Sequence, residues 1–209
     1  MIEVHHLNNS RSQRVLWLLE ELALPYEVVK YERDAQTNLA PESLKRIHRL
    51  GKSPVIKDGP NTLIESGAIL EYIVRKYGKG KLAPAESSPD WPRYLQLMHY
   101  AEGSAMLPVM LKLYTSRLGE AGAPLAPRIT SEIENHFGFL DVELANAEYF
   151  VGKELSAADI NLSFPIQAAR LLHGLDKFPN LARFLDRMHA RPAYKRGIEK
   201  GGEYALMSR

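Results

Sequence analysis

The chain has 209 residues, 45% hydrophobic and 25% charged, with 27 basic against 25 acidic side chains and a net charge of +2. That length accommodates one large domain or two modest ones, each with its own core. The near-neutral balance leaves no broad basic surface for nucleic acid, and the absence of cysteine excludes a disulfide framework, a Cys-ligated metal and a protein-borne thiol nucleophile.

The start, MIEVHHLNNS, has neither the basic nor the apolar region of a signal peptide, and no apolar run reaches membrane-spanning length. A soluble, cytoplasmic protein with no membrane partner is expected. Residues 2–7 read as a short strand. Residues 12–24 place Val15, Leu16, Leu18, Leu19 and Leu22 at helical spacing, and Pro25 is expected to end that helix. Residues 26–31 (YEVVKY) are strand-like, and Pro41 suits the first turn of a short helix. Residues 54–57 form a strand, 58–61 (DGPN) a turn and 62–64 the hairpin partner. A helix over 66–77 completes the order βαβαββα.

From Gly78 to Pro92 the text becomes GKGKLAPAESSPDWP, whose Gly, Pro and Ser content marks a linker. Beyond it the pattern is helical over 90–118, 126–145, 156–173 and 180–190, with a last short piece from Ala193. The expected organisation is therefore an α/β domain over 1–78, a linker over 79–92 and an all-α domain over 93–209.

The stretch GKSPVIKDGPNTLIESGAIL carries the chemistry. Proline lacks a ladder N–H and belongs at a strand's first residue or at a sheet edge, so Pro54 is expected at an edge. With a cis bond before it, the neighbouring backbone of Val55 would be open to an extended ligand that pairs as an added strand does. Ser66 is expected as an N-cap, where its hydroxyl and the free N–H groups of the next turn suit a carboxylate. Glu65 supplies the opposite sign for an ammonium. Together they suit the amine and carboxylate of an α-amino acid. His5 and His6, adjacent on a strand, point to opposite faces and cannot chelate one metal; no metal site is expected.

The ordered set of S-P-V at Ser53, Pro54 and Val55, E-S at Glu65 and Ser66, a short α/β unit and a helical second domain resembles the cytosolic glutathione S-transferases over nearly the whole chain. The wording HHLNNSRSQRVLWLLEEL with KRIHRLGKSPV is most similar to bacterial and fungal members with an active-site serine. Ser156, Ala157, Ala158 and Asp159 match the family's buried capping box. The resemblance implies a thioredoxin-like first domain and glutathione as co-substrate. The γ-glutamyl end would lie on Glu65 and Ser66, the cysteinyl backbone on Val55 and the glycyl carboxylate near Lys52. Ser10 matches the catalytic serine, which would donate a hydrogen bond to the glutathione sulfur. A small hydrophobic electrophile or a peroxide, a detoxifying role and a homodimer are implied likewise.

Each residue has a rival reading. Ser10 and Gln13 form an S-x-x-Q capping box in which the hydroxyl would only satisfy helix donors. Asn9 and Ser12 lie close enough to be the thiol donor instead. Glu65 also reads as an exposed loop carboxylate and Lys52 as an ordinary surface lysine. Ser156 and Asp159 are assigned to folding. In the long helix, Gly103, Leu107, Met110 and Tyr114 would line an electrophile pocket or a contact stripe, and Trp91, Tyr94 and Met98 an interface or the internal core. Two other functions stay open: a non-catalytic transferase-like interaction module, and a glutathione-dependent disulfide reductase, which without cysteine would need two glutathione molecules.

Overall fold

Strand β1 (Ile2–Leu7) buries Val4, His5, His6 and Leu7 in succession, the signature of a strand covered on both faces. In the computed structural model, which describes residues 1–202, Tyr204 and Ala205, it lies at the centre of a four-stranded sheet. β2 (Tyr26–Tyr31) pairs with it in parallel, β3 (Val55–Asp58) antiparallel, and β4 (Asn61–Leu63) follows β3, giving the order β2-β1-β3-β4. With α1 (Ser12–Glu21), α2 (Glu42–Lys45) and α3 (Ser66–Tyr77), the element order is the expected thioredoxin-like βαβαββα.

Two details differ from the sequence reading. β3 is internal, so Pro54 is not on a sheet edge; it precedes the strand, where no ladder N–H is required. The ladder to β4 starts where Ile56 faces Leu63, and Val55 lies one residue beyond it, facing His5 of β1. The Ser53–Pro54 peptide bond is cis. The first helix also stops before Pro25. Ala23 takes φ +51, and the Leu24 N–H donates to the Leu19 carbonyl at 3.0 Å, a left-handed C-terminal cap that closes the helix by its own hydrogen bonds.

Every residue of α1 from Ser12 to Glu20 is buried, because β1, α3 and α9 (Pro192–Gly201) all pack on it. This last helix belongs to the α/β unit, which comprises residues 1–81 and the described residues from His189 onward, whereas the sequence reading left it in the helical domain; residues 203 and 206–209 of that expected domain lie outside the described residues. Glycine allows the approach: a Cβ at Gly197 would stand 3.1 Å from the Trp17 backbone nitrogen. Arg191 pairs with Glu21 at 2.6 Å, and Arg196 and Lys200 pair with Glu20 at 2.7 and 2.6 Å.

The second unit, residues 82–188, is helical. It contains α4 (Trp91–Tyr100), α5 (Met106–Ser116), α6 (Ala126–Glu143), α7 (Ala157–Leu172) and most of α8 (Pro179–Ala190). The single helix expected over 90–118 is interrupted by a π-helical turn at Ala101–Ala105, in which the Met106 N–H reaches the Ala101 carbonyl. Pro108 has no N–H for the Ser104 carbonyl, so the regular ladder fails at this point and the wider turn takes up the offset. α7 is buried from Ala157 to Ala169. Its start is held by Asp159, which accepts the Ser156 N–H and O–H at 2.8 and 2.7 Å and the Phe150 N–H at 2.8 Å. Tyr94 and Met98 are buried, which favours the core reading of those two residues.

Candidate functional site

The loop between β1 and α1 turns without a glycine, since Asn9 itself adopts φ +52; asparagine tolerates this region better than most residues. Arg33 holds the loop from β2's side: its backbone N–H donates to Asn8 Oδ1 at 3.1 Å, and its guanidinium donates to the carbonyls of Asn8 and Asn9 at 3.2 and 3.3 Å. Burial, with the neighbouring Arg11 adding to it, lowers the Arg33 pKa.

Ser10 follows, 5% exposed. Its Oγ lies 2.8 Å from Ser12 Oγ, accepts the Ser12 N–H at 3.3 Å and donates to Ser53 Oγ at 3.4 Å. The S-x-x-Q box does not form: the Gln13 N–H goes to the Ser10 carbonyl at 3.3 Å, and the N-cap position is Arg11, whose side chain makes no capping bond. The rivals for the thiol are placed differently. Asn9 Oδ1 accepts the Ala205 N–H at 2.6 Å. Ser12 is fully buried, with its hydroxyl between Ser10, His6 Nδ1 at 2.8 Å and the Leu7 carbonyl at 3.4 Å.

Ser66 is the first residue of α3 and not its N-cap. Glu65 occupies the cap position with φ +69, and its carbonyl accepts the Ile69 N–H at 2.8 Å. A left-handed Glu carries backbone strain of about 1–3 kcal/mol, which clusters at functional sites. It also re-aims the chain so that Ser66 Oγ faces α1, where it accepts a hydrogen bond from Arg14 Nη2 at 2.6 Å. The sequence reading missed Arg14. Its signal was an arginine beside the apolar run Val15 to Leu19, since a buried guanidinium needs an acceptor.

The hydrogen bonds therefore link the start of α1 to Ser53, beside Pro54 and Val55, and to Ser66. Lys52 and Glu65 are exposed, free to meet solvent or a ligand, while Val55 is buried and offers only backbone. His5 and His6 part company as the pleat requires, His5 Nδ1 meeting Tyr31 Oη at 2.9 Å and His6 Nδ1 meeting Ser12. Among the described residues no three His, Asp or Glu side chains converge as a metal group. In the helical unit Leu107 and Tyr114 are 57% and 55% exposed, with Leu111 between them at 42%.

Family models match residues of both units. The glutathione S-transferase N-terminal domain matches residues 1–75 and the C-terminal domain matches residues 97–192. Glutathione S-transferase 3 of Schizosaccharomyces pombe is 35% identical over 96% of this chain and 88% of its own. The crystal structure of a glutathione S-transferase from Actinobacillus pleuropneumoniae is 33% identical, covers 100% of this chain and 96% of its own, and superposes with a TM-score of 0.92. A glutathione transferase family member from Pseudomonas fluorescens, solved with two glutathione bound, is 29% identical with a TM-score of 0.80 over 95% of this chain and 92% of its own.

Proposed function

The chain belongs to the glutathione S-transferase family, and from that premise we propose that it ionises the thiol of glutathione on Ser10 and presents the thiolate to a small hydrophobic electrophile. One observation carries the reading: the Ser10 hydroxyl stands at the foot of α1 outside any capping box, and hydrogen bonds connect this helix start to Ser53 and Ser66. A free thiol has a pKa of about 8.5, and a hydroxyl donor beside a helix N-terminus favours the charged form.

Ser10 supplies a hydrogen bond and is not the nucleophile. The thiolate forms the new C–S bond, and either the displaced group leaves with the electron pair or a conjugated acceptor takes up that pair and a proton. With a peroxide, sulfur attacks the terminal oxygen, the O–O bond breaks and the other oxygen leaves with the electron pair as alcohol; a second glutathione thiol then displaces water from the resulting sulfenic acid and closes the disulfide. The γ-glutamyl carboxylate is assigned to Ser66 and the amine to Glu65, whose strained backbone presents its side chain to solvent. Val55, one residue past the ladder to β4, pairs with the cysteinyl backbone, and Lys52 takes the glycyl carboxylate. A cytoplasmic homodimer is the expected working form. Among the described residues no helix is long and apolar enough to cross a membrane.

Calorimetric titration with reduced glutathione, paired with Ser66→Ala, tests the reading. Saturable binding that the substitution weakens is expected; folded protein that binds no glutathione would return the chain to the class of non-catalytic interaction modules.

A further inference from the structure

A file of hydrogen-bonding groups runs inward from Ser10. Its Oγ lies 2.8 Å from Ser12 Oγ, which lies 2.8 Å from Nδ1 of His6. Ser10, Ser12 and His6 are 5%, 0% and 2% exposed, so the direction of their protons follows from the inventory of donors and acceptors rather than from bulk water.

That inventory can be read from the outer end. Ser53 Oγ donates to the His5 carbonyl at 2.9 Å and accepts the Leu7 N–H at 3.2 Å, so the proton between Ser10 and Ser53 comes from Ser10. Ser10 Oγ already accepts the Ser12 N–H; its second lone pair, 2.8 Å from Ser12 Oγ, is a nearer acceptor for the Ser12 O–H than the Leu7 carbonyl at 3.4 Å, and takes that proton. Ser12, having given its proton, accepts at its contact with His6. The imidazole proton therefore sits on Nδ1. With the other tautomer the file reverses: Ser12 donates to Nδ1, Ser10 donates to Ser12, and no proton faces Ser53 or anything that takes its place.

We infer that His6 is a positioning residue, whose Nδ1–H orients the Ser12 hydroxyl toward Ser10 and so keeps the Ser10 proton pointing outward for the glutathione sulfur. This rests on the assignment of Ser10 as the thiol donor. Three groups donating in one direction polarise each other, so the outermost O–H is a stronger donor than an isolated serine. The imidazole stays neutral while doing so, because burial, with Lys30 adding to it, pushes the His6 pKa down to about 4. The backbone of α9 closes the other edge of the ring: a Cβ on Gly201 would stand 3.2 Å from Nε2.

Two measurements test the inference. In the glutathione-free protein, nitrogen NMR of the His6 ring should report a neutral imidazole protonated on Nδ1; protonation on Nε2 overturns the inference without touching the role of Ser10. In the glutathione complex, the ultraviolet absorbance of the bound thiolate is followed against pH for Ser10→Ala, Ser12→Ala, the double variant and His6→Leu. Ser12→Ala should lower the thiolate fraction below neutral pH about three- to tenfold, the worth of one lost hydrogen bond, with glutathione affinity unchanged. His6→Leu should act alike, and the double variant should be no worse than Ser10→Ala alone. An additive double variant would mean that Ser12 touches sulfur itself, and an unchanged thiol in Ser12→Ala would make the file merely structural; either overturns the inference while Ser10→Ala still raises the thiol pKa. Should Ser10→Ala leave the thiol pKa unmoved, the assignment of Ser10 fails and the inference falls with it. Ser12→Ala, a small deletion, keeps the test decisive if His6→Leu does not fold.

Discussion

Arg14 Nη2 donates to Ser66 Oγ at 2.6 Å, joining two buried side chains that lie 52 positions apart. The bond ties the first turn of α1 to the first turn of α3, the two helix starts that the proposed glutathione site uses.

Ser66→Ala removes the acceptor of this bond and the proposed donor to the γ-glutamyl carboxylate. Glutathione affinity should fall about tenfold to a hundredfold, as for loss of one hydrogen bond to a charged group. Arg14→Lys should not restore what Arg14 does, because a lysine lacks the planar fork. Calorimetry on both variants checks this, and unchanged affinity in Ser66→Ala would remove Ser66 from the site.

Ser10→Ala should raise the pKa of bound glutathione thiol and lower kcat/KM measured below that pKa, with the loss narrowing as pH rises and the thiol ionises unaided. With Ser10 assigned as the thiol donor, Asn9→Ala should leave the thiol pKa near the parent value. The pH profile of the transfer rate distinguishes the two positions.

Two glycine substitutions should have opposite signs. Ala at either helical position gains about 0.5–1 kcal/mol of propensity. At Gly138 of α6 the new Cβ meets only Phe178 at 3.9 Å, whereas at Gly197 of α9 it meets the Trp17 backbone at 3.1 and 3.2 Å. Gly138→Ala should be neutral or stabilising, and Gly197→Ala should cost about 1–3 kcal/mol through forced separation of α9 from α1. Urea unfolding of both variants gives the comparison.

Asp58 predicts an acid-dependent term. Hydrogen bonds from Lys76, Tyr77 and Tyr72, at 2.8, 2.7 and 2.8 Å, hold its carboxyl at about 2. An unfolded aspartate titrates near 3.9, about two units higher. The folded state therefore binds the proton less well, so the stabilisation is full above about pH 4 and is lost as pH falls toward 2. Asp58→Asn should destabilise the protein at neutral pH by about 1 kcal/mol, reduced by the solvent around Lys76, and the difference from the parent should vanish near pH 2. Thermal unfolding at several pH values tests the shape.

Asp159 should matter more than Ser156. Ser156→Ala deletes one donor of the capping box and should cost about 1–2 kcal/mol. Asp159→Ala strands the buried N–H groups of Phe150 and Ser156, each at about 1–3 kcal/mol, and should unfold much of the population. Urea midpoints and circular dichroism measure both.

The order of elements was legible because hydrophobic period, proline and turn chemistry are local properties of the chain. β1, β2 and α3 have the bounds that their apolar runs suggest, and the capping box of Ser156 and Asp159 forms as its spacing requires. Glu65, Ser66 and the Ser53–Pro54 pair could be singled out as short words, but their backbone roles differ from the local reading: Ser66 is the first helical residue and Pro54 precedes an internal strand. What the local text could not carry was direction and partnership. Asn9 and Glu65 leave the usual backbone regions, and those two dihedrals decide that Ser12 turns inward to His6 and that Ser66 meets Arg14 from its place inside the helix. Likewise α9 joined the α/β unit through glycines and ion pairs that match α1, nearly 180 positions earlier in the chain. Periodicity states which residues share a face; only the folded chain states which faces meet, because close approach and buried hydrogen bonds are settled between segments that the sequence holds far apart.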